Sequence, residues 1–246
     1  MKVSQKIYDF IKEAGIKAYP KEACGLLYAK GKKAIPVECR NDALEPEHNF
    51  LINGDDYVAT MNLGEIVGCW HTHCNTNAKP SDADRQGCEN TEVTWFIGAV
   101  NKDEKGEFTF EGIETITPEG FMMPLIGRPY VYGTFDCYTL LRDYYKTEMG
   151  IDLGDFLRGE NPWDAAENFF LTKGEEMGFV PTGGTPEKGD VFLLQCGKKI
   201  DHICIYIGDD MILHHMRDRL SRRDIYGGSY WQERTIYHMR YNKDAH

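Results

Sequence analysis

The stretch Glu65-Ile66-Val67-Gly68-Cys69-Trp70-His71-Thr72-His73 runs from an apolar strand pattern straight into two histidines, and after seven further residues comes Ser81-Asp82-Ala83-Asp84. Pro80-Ser81 followed by acids is a helix start, with Ser81 as N-cap and Asp84 one turn into the helix. The histidine pair is expected where the strand ends and bends, between Trp70 and Cys74, with Asn75 to Pro80 as loop. Two imidazoles, one carboxylate and a water make an open tetrahedral site of the kind zinc uses in catalysis. Zn2+ there would lower the pKa of the water and polarise a carbonyl. His71, His73 and Asp84 are thus the candidate ligands. Glu22, just ahead of a strand, is the candidate general base, and Ser81 is placed to donate to an oxyanion. A structural zinc site from Cys69, Cys74 and Cys88 is the rival, but no Cys-x-x-Cys pair supports it.

Around this stretch the pattern alternates between element types. Val3, Ile7, Phe10, Ile11 and Ala14 have helical spacing. Gly25 to Ala29 and Ala34 to Glu38 read as strands about a Lys30-Gly31-Lys32 turn, and Asp55 to Asn62 as a helix. Thr94 to Val100 and Glu107 to Ile116 read as paired strands. Breakers at Thr117-Pro118-Glu119-Gly120 and Pro124 to Pro129 mark a linker. Two domains follow, 1-120 and 125-246, the size expected for a chain of 246 residues.

Beyond the linker, Phe135 to Met149 and Trp163 to Met177 read as helices. Asp190 to Gln195, His202 to Ile207 and Met211 to His214 read as strands. Cys137 opens the first of these helices, where the N-terminus favours a thiolate. A hairpin about Gly208-Asp209-Asp210 would bring His202 and His214 together, giving a nucleophile, a base and an orienting group. His215 rivals His214, because neighbours on a strand face opposite sides. His48, His238 and His246 are read as non-catalytic, and Cys196 and Cys204 as core thiols.

A hydrophobic fraction of 41% with 27% charged residues argues against disorder. The formal charge of -11 argues against nucleic-acid binding. The basic stretch Arg217, Arg219, Arg222 and Arg223, interleaved with Asp218 and Asp224, reads as a solvated loop. No run of apolar residues is long enough for membrane insertion, and the opening helix is not a signal peptide. The eight cysteines, irregularly spaced, are expected to be reduced thiols in a protein made in the cytoplasm.

Glu22 with His71-x-His73-x7-Ser81-x-x-Asp84 resembles the JAMM (MPN-type) metalloproteases, over about residues 1 to 118. The resemblance implies two histidines and the aspartate on zinc, the glutamate as base, the serine at the oxyanion, and cleavage of amide or isopeptide bonds. Asp136-Cys137, Gly189-Asp190-Val191 and Asp201-His202 through Gly208 to His214 resemble the NlpC-type, papain-like cysteine peptidases. Their usual Ser-Gly after the nucleophile is Tyr138-Thr139 here. This second resemblance implies Cys137 as nucleophile, His202 as base, His214 as the orienting residue and a nearby tyrosine, Tyr132 in preference to Tyr130. The expected fold class is an α/β JAMM/MPN-like domain followed by an α+β papain-like domain.

Together the pair resembles tail-tip assembly proteins of long-tailed phages and prophages. That implies peptidoglycan peptides or tail proteins as substrate, other tail-tip proteins as partners, and a passage from host cytoplasm to the virion tail tip. The alternative implied is a tail-tip scaffold with one site active, or neither.

Overall fold

The computed structural model describes residues 3–156 and 169–244. The chain divides into two compact units, Met1–Met123 and Pro124–His246.

In the first unit, helix α1 (Gln5–Ala18) starts at Ser4, whose side chain accepts from the Ile7 amide. Strands β1 (Cys24–Lys30) and β2 (Lys33–Cys39) form a hairpin, followed by helix α2 (Gly54–Met61). Strand β3 (Ile66–Cys74), helix α3 (Asp82–Thr91), strand β4 (Thr94–Lys102) and strand β5 (Phe108–Ile116) complete the unit. The sheet order is β2-β1-β3-β4-β5, with only β3 and β4 parallel, as their connection through α3 requires. Ile7, Ile11 and Ala14 of α1 pack on Leu27, Trp70 and Phe96. A helix of this length is marginal alone; burying Ile7 and Ile11, about 2 kcal/mol each, holds it to the sheet. On the other core face Cys69, Cys88 and Trp95 pack with Phe50 and Tyr57.

The expected bend at the histidine pair is corrected. Strand β3 runs on through His71 and His73 to Cys74, still paired with β4. No bend is needed, because alternate residues of a strand share a face. His71 stacks on Phe50 and meets Trp95, while Trp70 points to α1.

In the second unit, helix α4 (Cys137–Tyr144) passes into a π-helical turn over Tyr145–Met149, and the chain leaves it at Gly150 with φ 68°. The helix expected over Phe135 to Met149 thus starts two residues later, at Cys137, and changes winding at Tyr145. Of the helix expected over Trp163 to Met177, the first six residues lie outside the described ones. The rest is helix α5 (Phe169–Glu176). Strands β6 (Phe179–Pro181), β7 (Val191–Leu194), β8 (His202–Gly208), β9 (Met211–His214) and β10 (Arg222–Ile225), short helix α6 (Ser229–Gln232) and strand β11 (Thr235–Tyr241) follow. They form an antiparallel sheet of order β10-β9-β8-β7-β11-β6. Leu140, Leu141 and Tyr144 of α4 pack on Ile203, Ile205 and Leu213. The opposite sheet face carries Phe192, Cys204, Tyr206, Tyr226 and Trp231.

One reading fails here. The Arg217–Asp224 stretch is not wholly solvated loop, since Arg222–Ile225 pairs with β9. The eight cysteines stand as free thiols. Among the described residues no helix is long and apolar enough to cross a membrane.

Candidate functional site

In the first unit, Nε2 of His71 lies 3.1 Å from Nε2 of His73 and 3.1 Å from Asp84 Oδ1, and His73 Nε2 lies 3.4 Å from Asp84 Oδ2. Zinc bonds of about 2.0 Å in a tetrahedron separate ligand atoms by about 3.3 Å, so the two edges from His71 Nε2, to His73 Nε2 and to Asp84 Oδ1, suit such a polyhedron, while the His73 contact runs to the other carboxylate oxygen. The tautomer fits as well. His73 Nδ1 lies 2.9 Å from the Asn77 carbonyl oxygen, which can only accept, so Nδ1 carries a proton and Nε2 is the nitrogen left for a metal. His71 Nδ1 is buried without a hydrogen-bond partner. A metal on Nε2 would place the ring's proton on that orphaned nitrogen. The group is thus one that could hold a metal ion.

Helix α3 delivers the third ligand type through its cap. Ser81 Oγ accepts from the Asp84 amide at 3.1 Å, while Asp84 Oδ2 accepts from the Ser81 amide at 2.7 Å and its hydroxyl at 2.8 Å. The Ser81 proton is therefore directed at Asp84. Burial would raise the Asp84 carboxyl, but the histidines beside it and the Ser81 amide outweigh this and hold it well below the usual range. Burial works against charge on His73, yet Asp84, the Asn77 carbonyl and Glu22 push it up to about 8. Glu22, only 6% exposed, sits two residues before Cys24, the register partner of His71. Burial raises its carboxyl, with His71 and His73 in opposition. Those are the directions a proton acceptor near neutrality needs.

In the second unit, Asp136 caps α4 with a reciprocal box: its carboxylate accepts from the Thr139 amide at 2.8 Å, and its amide donates to Thr139 Oγ1 at 2.8 Å. Half-buried Cys137 is thereby fixed at the first helical position. It lines a cavity of about 510 Å³ together with Tyr130, Tyr132, His202 and His215. The β8–β9 hairpin forms at the expected turn, and His202 Nε2 lies 3.3 Å from His214 Nδ1. His215 turns the other way, toward the Tyr130 ring at 5.3 Å and the Arg219 carbonyl at 3.1 Å. His214, not His215, is the residue that touches His202. Burial, then His214 and His215, push His202 down to about 3, so its ring is neutral at neutral pH.

Both tyrosines line the cavity, and burial raises the Tyr130 phenol, with Cys137 and Asp136 adding to the shift and Arg217 opposing it. Sequence reasoning missed Asp224, whose Oδ2 lies 3.1 Å from His214 Nε2. The available signal was the alternation Arg222-x-Asp224 following a strand that ends in a histidine. His202, Cys204 and His214 also bring ligand-type atoms within 4.8 Å of one another. Cys204 is fully buried among aromatic residues and its thiol is pushed far up, which opposes the thiolate a metal needs.

Residues 127–240 match the NlpC/P60 family, and residues 4–111 match the prokaryotic homologs of the JAB domain. Over 241 residues the chain is 34% identical to Tail tip assembly protein K of Escherichia phage N15, covering 96% of this chain and 95% of that protein. Over 187 residues it is 32% identical to Tail tip assembly protein K of Escherichia phage lambda, covering 74% of this chain and 84% of that protein. A 92-residue stretch is 28% identical to Desampylase of Pyrococcus furiosus, covering 35% of this chain and 63% of that protein. With likeness over nearly its whole length, the chain belongs to the tail tip assembly protein K family, which joins a JAB-type domain to an NlpC/P60-type domain, both of peptidase families.

Proposed function

We propose that this chain is a bifunctional peptidase of phage tail assembly, cutting peptide stems of peptidoglycan with its second unit and a peptide or isopeptide bond with its first. The observation that carries the reading is the contact of His202 with His214 at the edge of the cavity that Cys137 lines. In the thiol reaction, the Cys137 sulfur attacks the scissile carbonyl while His202 takes the thiol proton. The tetrahedral adduct collapses, the C–N bond breaks, and His202 passes that proton to the departing amine. Water then cleaves the thioester, with His202 again as base, and the thiol is restored.

In the first unit His71, His73 and Asp84 would hold zinc, which when bound supplies Lewis-acid polarisation of a carbonyl and lowers the pKa of water. Glu22 takes up a proton there and returns it to the leaving nitrogen. The Ser81 hydroxyl shifts its proton from Asp84 Oδ2 to the developing oxyanion. Tyr132 and Tyr130 flank the thiol from the cavity wall. Partners are other tail-tip proteins, met in the host cytoplasm during synthesis and at the tail tip. Purified peptidoglycan digested with the wild-type chain should release stem-peptide fragments by mass spectrometry, and Cys137→Ala should release none; fragments from that variant would refute the thiol half.

A further inference from the structure

The polar chain that begins at His202, on the cavity Cys137 lines, continues past His214. Strand β10 sets Asp224 diagonal to His214, with Arg222 as the direct partner of His214 and Asp224 opposite Ile212. His214 Nε2 lies 3.1 Å from Asp224 Oδ2, and its Nδ1 lies 3.3 Å from His202 Nε2. Each contact restricts the next. A carboxylate oxygen only accepts, so His214 must donate from Nε2. A neutral imidazole carries a single N–H, so His214 Nδ1 is bare and must accept from His202 Nε2. His202 then has its own proton committed to His214, and its Nδ1 is the lone-pair nitrogen. The opposite assignment would set bare His214 Nε2 against carboxylate lone pairs at the same 3.1 Å.

We propose that Asp224 is a positioning residue that sets the tautomers of His214 and His202, so that His202 Nδ1 is the nitrogen that receives the Cys137 proton. The proposal rests on the thiol reading of the second unit. Its surroundings suit the role. Arg222 Nη2 donates to the same Asp224 oxygen at 2.8 Å and holds the carboxylate in place. The Trp231 ring packs 4.6 Å from His214, covering the contact, and His214 is 2% exposed. As a half-exposed ion pair with Arg222 alone, Asp224 would do little for stability. Its directed contact is with the buried ring.

The test is long-range 1H–15N NMR on the full chain with 15N-labelled histidine, which reads the tautomer of each ring, together with kinetics on stem peptides. The wild type should show His214 and His202 both protonated at Nε2. Asp224→Ala should release His214 into a mixture of tautomers and lower kcat about tenfold, the loss of one charge-assisted hydrogen bond, with KM within about twofold. Asp224→Asn, which keeps an oxygen for His214, should restore the tautomers and most of kcat. Arg222→Ala, which leaves the carboxylate, should keep the tautomers and show that β10 still folds. His214 protonated at Nδ1 in the wild type, or unchanged tautomers in Asp224→Ala, would overturn the proposal. The NMR result stands apart from the substrate: wild-type tautomers as assigned with no cleavage of stem peptides would count against the peptidoglycan reading and not against Asp224.

Discussion

His73 aims Nδ1 at the Asn77 carbonyl oxygen, 2.9 Å away, and this contact turns Nε2 to where His71 and Asp84 converge. The segment between β3 and α3 therefore fixes a tautomer as well as connecting two elements. An outer contact of this kind holds a ligand ring ready before the ion arrives.

The first prediction concerns zinc content. The purified full chain should carry about one zinc per molecule by mass spectrometric metal analysis after dialysis, and Asp84→Ala should carry less than about a tenth of that. Asn77→Ala keeps the backbone carbonyl and should keep the zinc. Equal zinc in wild type and Asp84→Ala would remove the carboxylate from the site.

The second concerns a buried charge. Arg128 and Asp143, 0% and 2% exposed at their side chains, meet at 2.6 Å in the second unit. Asp143→Ala leaves the buried guanidinium without the carboxylate that balances its charge and should cost about 3–5 kcal/mol in urea unfolding followed by tryptophan fluorescence.

The third is a pH effect. His202 and His215 are pushed down from 6.5 to about 3 and about 4, chiefly by burial, and His214 is lowered for the same reason. Folded, the rings stay neutral; unfolded, they take up protons below about 6.5. Their contribution to stability is full above that value and is lost as pH falls toward 4. The cost is about 1 kcal/mol per pH unit for each ring. Urea unfolding of the second unit at pH 7 and pH 5 should give a lower midpoint at pH 5, and His215→Phe should shrink the difference.

The fourth tests packing beside Glu22. A Cβ on Gly25 would fall 2.0 Å from the Val37 carbonyl oxygen and 2.7 Å from the Trp70 ring. Gly25→Ala forces β1 off β2, so it should cost about 3 kcal/mol or more and lower zinc retention with it. Thermal unfolding alongside metal analysis checks both.

Much of this was readable from residue order. His71, His73, Ser81 and Asp84 sit within fourteen positions, and a helix cap with a strand end is enough to bring them together. The β8–β9 hairpin was readable for a similar reason, since a Gly-Asp-Asp turn separates two apolar runs. Asp224 was hidden because Arg222-Arg223-Asp224 carries the charge pattern of solvent-facing loop, and an edge strand with polar residues looks the same in sequence. His238 reads as non-catalytic in the sequence, with no structural role assigned, and it lies 2.6 Å from Asp190, which Arg240 also clamps at 2.8 Å. That pairing spans 48 residues and joins β7 to β11, a register no local pattern specifies. Strand β3 needs no bend at His73, because His71 and His73 lie two apart and so share a face.

The most direct test of the central claim, two separate hydrolytic sites in one chain, is a crossed digestion. Purified peptidoglycan and purified tail-tip proteins are each incubated with wild type, His71→Ala and Cys137→Ala, and the fragments are identified by mass spectrometry. The account predicts that Cys137→Ala abolishes stem-peptide release while His71→Ala leaves it intact, and that His71→Ala alone abolishes a second, zinc-dependent cleavage. Stem-peptide release that survives Cys137→Ala, or no cleavage of either substrate by the zinc-loaded wild type, would contradict it.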